Sequence, residues 1–361
     1  MTRKRRVAVL YGGRSAEHEV SLLSASNVVK AIDTSKYEVV PIAITRTGQW
    51  LLAALDGGGL PETVPATGPE VSLLPGGKGR LLVIPASGAP HEIPPVDVVF
   101  PVLHGLCGED GSVQGLAEVA DIAYVGCGIL GSATAMDKDV AKRLLKQAGL
   151  PVARGVTLQF GETAGFDDIT RELGSPVFVK PARQGSSVGV GKAATAEAFE
   201  AAVKEAFRHD RKVIVEEFVQ AREIEFGVLE GSDGSLTVSV PGEIAPAASH
   251  GFYTYDAKYI DADGAALSIP ANLPASVREQ LQDMAGLAFR ALGCEGMARV
   301  DFFLRPDMSA VVNEVNTIPG FTNISMYPKT LGASGIPYPD LVDRLIQHAL
   351  DRADRQRSGT I

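Results

Sequence analysis

Phe178-Val179-Lys180-Pro181 reads as the end of a strand, and Arg183-Gln184-Gly185-Ser186-Ser187-Val188-Gly189-Val190-Gly191 follows shortly after. A lysine at the end of a strand projects a fixed cation. The glycines behind it let backbone N–H groups approach phosphate oxygens, and two hydroxyls add donors. The plainer reading is a surface hairpin whose glycines serve turns, and alone the pattern decides little. The spacing G-x-x-x-x-G-K-[ST] is missing, which disfavours a Walker-type loop.

A second group lies late in the chain, at Arg299-Val300-Asp301 and Glu314-Val315-Asn316. Strand alternation puts Arg299 and Asp301 on one face, and Glu314 and Asn316 on one face of the next strand. If the two strands are neighbours, three oxygen-bearing side chains and one guanidinium converge. Such hard oxygen donors suit Mg²⁺ bridging a polyphosphate. Arg299 could neutralise charge developing on a transferring group. A solvated strand face is the competing reading. It is weakened by the apolar Phe302, Phe303, Val311, Val312 and Val315 around it, since carboxylates on buried strands are costly without partners. Thr317-Ile318-Pro319-Gly320-Phe321-Thr322 follows at once, and its Pro-Gly turn could offer an N–H to an oxyanion or be only a turn.

These groups need strands and helices to hold them. Arg6–Leu10 reads as a short buried strand, and Ser15 as the N-cap of a helix carrying Val20, Leu23, Val28, Val29 and Ile32. Tyr37–Ile44 and Val96–Leu103 read as further strands, so strand–helix–strand order predicts a parallel sheet under helices. Residues 55–80, dense in Gly and Pro, read as loop and weak hairpin. Helices are expected at Gly111–Ala120, Ala135–Ala148, Pro274–Leu292 and Leu341–Arg355. Val213–Val219, Ile224–Leu229 and Leu236–Val240 read as antiparallel strands. Ser249–Tyr259 holds four aromatics and a lysine with little regular pattern, which suits a lid that excludes water.

Composition excludes some functions. A net charge of −9 over 361 residues argues against a general binder of nucleic-acid backbones. Three widely spaced cysteines, with no C-x-x-C, suggest neither a disulfide framework nor a zinc site, and favour a reduced, cytoplasmic setting. The apolar run after the basic start is too short for a signal peptide or membrane span.

Taken together, Lys180 with its Gly/Ser loop, Glu216-Glu217-Phe218-Val219, Asp301 and Glu314-x-Asn316 resemble the ATP-grasp fold, in which two α+β domains clamp ATP. Four more segments resemble D-alanine–D-alanine ligases. They are Tyr11-Gly12-Gly13-Arg14-Ser15-Ala16-Glu17-His18-Glu19-Val20-Ser21, Leu103-His104-Gly105 with Gly108-Glu109-Asp110-Gly111, Met136-Asp137-Lys138, and Phe252-Tyr253-Thr254-Tyr255-Asp256-Ala257-Lys258-Tyr259. The resemblance runs from about Val7 to the closing helix.

The resemblance implies three domains: 1–127 binding substrate, 128–215 as the central ATP-grasp domain, and 216–361 carrying the metal and acyl-phosphate site. It implies that Glu17 holds the ammonium of the first D-alanine, with His104 nearby, and that Ser325 binds the second D-alanine's carboxylate. Lys138, Lys180, Ser187 and Lys258 would contact phosphate. Glu216 would lie near the adenosine, backbone around Phe218 and Val219 would read adenine, and Glu223 would bond the ribose. Asp301, Glu314 and Asn316 would bind two Mg²⁺ (or Mn²⁺) ions. Tyr259 would bond Ser186 and through it Glu17, and argues for an amine rather than a hydroxyl acceptor. Arg299 and the Gly320 N–H would stabilise the tetrahedral oxyanion. A homodimer serving peptidoglycan precursor synthesis is the further implication. Two positions depart from the family pattern: Gln184 replaces a common acidic residue, and Phe218-Val219 replaces Trp-Leu. Backbone contacts make both tolerable.

Three rivals have their own signatures. A sister ligase using D-serine or D-lactate would share most of these motifs. A dinucleotide-binding oxidoreductase would need G-x-G-x-x-G at Gly12-Gly13, where it is missing. A non-catalytic nucleotide binder would lack Lys180, Asp301 or Glu314, and all three are present.

Overall fold

A computed structural model describes residues 3–246 and 265–359. Three sheets organise the described chain. The first has eight strands and begins with Arg5–Gly12, whose apolar residues from Val7 onward are buried. That strand pairs in parallel with Tyr37–Ile44 on one side and Val98–Pro101 on the other, and Ala123–Tyr124 continues the parallel part. The expected parallel sheet is therefore present, but it is only half of the whole. Trp50–Leu52, Glu70–Leu73, Leu81–Ile84 and His91–Ile93 extend it as an antiparallel meander. The reading of 55–80 as loop missed this, because three- and four-residue strands between Gly and Pro clusters leave too short an alternation to detect.

The covering helix is His18–Ala31. Ser15 is not its N-cap. Glu17 occupies that position, and the Ser15 hydroxyl instead accepts the Glu17 N–H at 3.2 Å. Leu23 points outward, 58% exposed, while Val20, Leu22, Ala25, Val28 and Val29 face the sheet.

The second sheet is a four-stranded antiparallel sheet containing Gly155–Gln159, Val177–Pro181, Gly191–Ala193 and Lys212–Glu217. The third contains Arg222–Glu230, Leu236–Val238, Gly242–Pro246, Ala265–Ser268, Met297–Leu304 and Ala310–Asn316. The three strands expected as one antiparallel set are thus divided. Lys212–Glu217 belongs to the second sheet and the other two to the third. Gln220 and Ala221 carry the chain across, a change of partner that local periodicity does not encode.

The expected helix over 135–148 is two helices, Ile129–Met136 and Lys138–Gln147. Asp137 separates them in an extended conformation, and its carboxylate accepts the Val140 N–H at 3.1 Å, capping the second helix. Ala135, Ala141 and Leu145 pack into the third sheet's core with Phe226, Phe289 and Val312. The last helices, Met326–Ala333 and Tyr338–Ser358, return to the first sheet, where Tyr327, Leu341 and Leu345 share a core with Val7, Tyr11 and Phe100. The ends of the chain thereby fix the third sheet against the first. Residues 249–259, including Lys258 and Tyr259, lie outside the described residues.

Candidate active site

The strand register brings the first constellation together. Phe178 pairs with Glu216 across the second sheet, which sets Lys180 beside the same carboxylate. Lys180 Nζ lies 2.7 Å from Glu216 Oε2, and Lys142 Nζ lies 2.7 Å from Glu216 Oε1. Burial would push the Glu216 carboxyl up, but the charges of Lys142 and Lys180 outweigh it and bring it down to about 2. Burial would lower Lys180, yet the Glu216 charge prevails and raises it. Lys142 is lowered, because burial outweighs the pull of Glu216.

The loop after Lys180 is tied at both ends. The Lys138 N–H donates to Ala182 O at 2.9 Å, and Lys138 Nζ donates to Gln184 O at 2.7 Å. Ser186 and Ser187 both have positive φ, 47° and 61°, which turns the backbone sharply. The Ser186 hydroxyl donates to Glu17 Oε1, joining this loop to the first sheet. The loop backbone passes close to that carboxylate, since a Cβ on Gly185 would stand 2.9 Å from Glu17 Oε2.

The third sheet supplies the opposite wall. Asp301 pairs with Glu314, and Arg299 with Asn316, as alternation predicts. Beyond Asp301 the register slips: Phe302 pairs with Val312, and Asn313 is the extra residue of a bulge. Arg299 grips Asp301 through two bonds of 2.7 Å, and its Nε also lies 2.9 Å from Glu225 Oε2. Asn316 Nδ2 donates to Asp301 Oδ2 at 3.0 Å. Lys138 Nζ is 3.6 Å from Glu314 Oε2, so the lysine spans the two walls. The cleft between them is lined by Lys138, Lys180, Ser186, Ser187, Glu216 and Glu314, and farther along by Val219 and Glu223. Phe218 stands at its edge, its ring 6.0 Å from that of Phe178, which lines the cleft.

His104, Glu109, Gly320 and Ser325 form the end near the first sheet. His104 Nδ1 is 3.0 Å from Ile318 O, and its Nε2 is 3.3 Å from the Ser24 hydroxyl. Burial lowers its pKa, against the opposing charge of Glu17. Glu109 accepts the Gly105 N–H at 2.7 Å and the Ile318 N–H at 3.1 Å. Ile318 is therefore held through both its N–H and its C=O, just before Pro319-Gly320. Ser325 accepts the Thr322 N–H at 2.9 Å, and a Cβ on Gly320 would stand 2.6 Å from its hydroxyl. Gly320 and Ser325 are thus packed together at the start of the Met326–Ala333 helix.

Burial pushes the Glu109 carboxyl up to about 8, with Glu17 adding to the shift. The folded chain then keeps a proton that the unfolded chain releases near pH 4.5, so this group removes stability as pH rises from about 4.5 to 8. The full slope would be about 1.4 kcal/mol per pH unit, and partial exposure of the side chain reduces it. Urea unfolding at pH 5 and pH 8 should show the wild type losing more stability across that interval than Glu109→Gln. Equal losses would mean that Glu109 is ionised in both states.

The donor set suits a divalent cation. Among the described residues no three His, Cys, Asp or Glu side chains cluster as metal ligands, and the candidates are two carboxylates and one amide, Asp301, Glu314 and Asn316. A hard cation with few protein ligands, completed by water and phosphate oxygens, fits that supply. Sequence reasoning missed Lys142, Glu225 and Asn313. Lys142 had a signal, standing one helical turn after Lys138 on the same face.

A cationic loop on one sheet, facing a carboxylate-bearing strand pair on another across a cleft, defines an ATP-grasp enzyme. Family models described as D-ala D-ala ligase N-terminus and D-ala D-ala ligase C-terminus match residues 6–127 and 144–347. A Mesorhizobium japonicum protein named D-alanine--D-alanine ligase A is 63% identical over 357 residues, covering 98% of this chain and 99% of that one. The D-alanine-D-alanine ligase structure from Coxiella burnetii superposes with a TM-score of 0.85 at 36% identity, covering 99% of this chain and 97% of that one. The VanG D-Ala:D-Ser ligase of Enterococcus faecalis superposes at 0.84 with 38% identity, covering 96% and 100%. The chain belongs to the D-alanine–D-alanine ligase family.

Proposed function

We propose that this enzyme joins two D-alanines to D-alanyl-D-alanine, using ATP to form D-alanyl phosphate. The observation that carries this reading is the cleft itself. Lys138, Lys180 and the Ser186-Ser187 loop face Glu314 across it, and Glu314 is the ladder partner of Asp301, which Arg299 holds. Family membership supplies the substrate pair, and D-serine or D-lactate as second substrate is the less favoured alternative.

The first D-alanine is held through its ammonium by Glu17, with His104 beside it. One carboxylate oxygen attacks the γ-phosphorus of ATP, and the bond from phosphorus to the ADP oxygen breaks. Lys138 and Lys180 neutralise the phosphate oxygens, and the loop N–H groups and Ser187 add donors. Glu223 and backbone at Phe218 and Val219 hold the nucleoside, with Glu216 near it behind Lys180. Asp301, Glu314 and Asn316 would hold two Mg²⁺ or Mn²⁺ ions, which neutralise charge on the triphosphate when bound. The second D-alanine, its carboxylate on Ser325, attacks the acyl carbon through its unprotonated amine, the C–O bond to phosphate breaks, and the amine's surplus proton leaves with the phosphate. Arg299 and the Gly320 N–H stabilise the oxyanion, and phosphate leaves.

Division of the chain at residues 127/128 and after Glu217, where the last strand of the second sheet ends and not at 215/216 within it, a homodimer, and a cytoplasmic role in peptidoglycan precursor synthesis belong to the same reading. Among the described residues no helix is long and apolar enough to cross a membrane. Incubation with ATP and D-alanine should yield D-alanyl-D-alanine, ADP and phosphate in equal amounts. With D-serine or D-lactate added in competition, preferential formation of the mixed product would contradict the assignment.

A further inference from the structure

Glu216 is 1% exposed, and its carboxylate carries one lysine on each oxygen. The two lysines differ in where they stand. Lys180 lines the nucleotide cleft. Lys142 does not. It lines a separate cavity behind Glu216, with Leu150, Arg154 and Thr157. Its side chain is 9% exposed, and nothing in the ligase mechanism uses it.

We infer that Lys142 is a positioning residue for the nucleotide site: by occupying the rear oxygen of Glu216, it leaves the ammonium of Lys180 available to the phosphates of ATP. Charge counting gives the reason. Two ammoniums and one carboxylate leave the group with a net charge of +1, and that charge faces the cleft through Lys180. Lys180 already lies 2.7 Å from Glu216 Oε2, with Lys142 sharing the same carboxylate; without Lys142 the whole carboxylate charge would fall on Lys180 as a neutral pair, and the phosphates would compete with it for that cation. Burial lowers the Lys142 pKa, and the Glu216 carboxylate 2.7 Å away opposes that shift.

Lys142 has a neighbour that separates this role from a mechanical one. Lys212, from the strand that carries Glu216, ties the same helix start through Asp137 at 2.7 Å and Asp139 at 3.1 Å. It makes no contact with Glu216. If Lys142 served only to fasten the helix to the strand, losing Lys212 would have the same consequence.

The inference rests on the reading that Lys180 binds ATP phosphate, and the experiment keeps the two apart. KM for ATP and for D-alanine is measured for Lys180→Met, Lys142→Met, Lys212→Met and the double variant Lys142→Met/Glu216→Gln. Lys180→Met should raise KM for ATP, and an unchanged value would remove the parent reading. Lys142→Met should raise KM for ATP by about tenfold or more and leave KM for D-alanine within about twofold. Lys212→Met should leave KM for ATP within about twofold of the wild type. The double variant should recover ATP affinity relative to Lys142→Met, because removing the carboxylate frees Lys180 again. If Lys142→Met proves too unstable to assay, Lys142→Gln takes its place in both the single and the double variant, with the same rise and the same recovery expected. Equal effects at 142 and 212, no effect at 142, or a double variant no better than Lys142→Met would each overturn the inference.

Discussion

Glu314→Gln should lower kcat by about 10³-fold or more while leaving the chain folded. The substitution preserves size and removes one charge. Glu314 stands directly across the ladder from Asp301 and 3.6 Å from Lys138, which reaches it from the opposite wall of the cleft. Its side chain is 25% exposed, so the fold gains little from its charge, and Lys138 keeps its bond to Gln184 O. ADP release at saturating ATP and D-alanine gives kcat, and thermal unfolding reports integrity. A variant that keeps activity within about tenfold would show that Glu314 plays no part in phosphoryl transfer.

Arg299→Met should act on rate and stability together. The guanidinium serves both Asp301 and Glu225, whose side chains are 11% and 7% exposed. Removing it leaves two carboxylates in a poorly hydrated strand face, and breaking such a buried pair costs about 3–5 kcal/mol. Asn316 still donates to Asp301 and recovers part of that loss. Loss of the charge that faces the developing oxyanion should lower kcat by about 10²–10³-fold beyond any loss of folded enzyme. Activity corrected for the folded fraction, together with urea unfolding, separates the two effects. A lower midpoint with unchanged corrected kcat would make Arg299 a structural residue only.

The sequence carried the site where alternation or loop chemistry sufficed. Arg299, Asp301, Glu314 and Asn316 follow from period two, and the ladder pairs them as expected. The Asn313 bulge between them is invisible to that periodicity, since one extra residue in a strand leaves each flanking pattern intact. The Lys180 loop was legible from its glycines, but its bond to Glu17 joins residues 169 positions apart and depends on how two sheets meet. Lys142 escaped notice because a lysine on the polar face of an amphipathic helix ordinarily meets water. Here that face meets Glu216. The break at Asp137 was hidden by good helix formers on both sides, although Asp before a helical run is a recognised cap. The antiparallel half of the first sheet was hidden by strand length alone.

All of these expectations depend on one nucleotide triphosphate lying between the second and third sheets. Crystallising the enzyme with a non-hydrolysable ATP analogue and Mg²⁺ tests that placement directly. The terminal phosphates should contact Lys138 and Lys180, with metal ions between them and Asp301, Glu314 and Asn316. Phosphates found away from these five side chains, with the cleft open to water, would contradict the account.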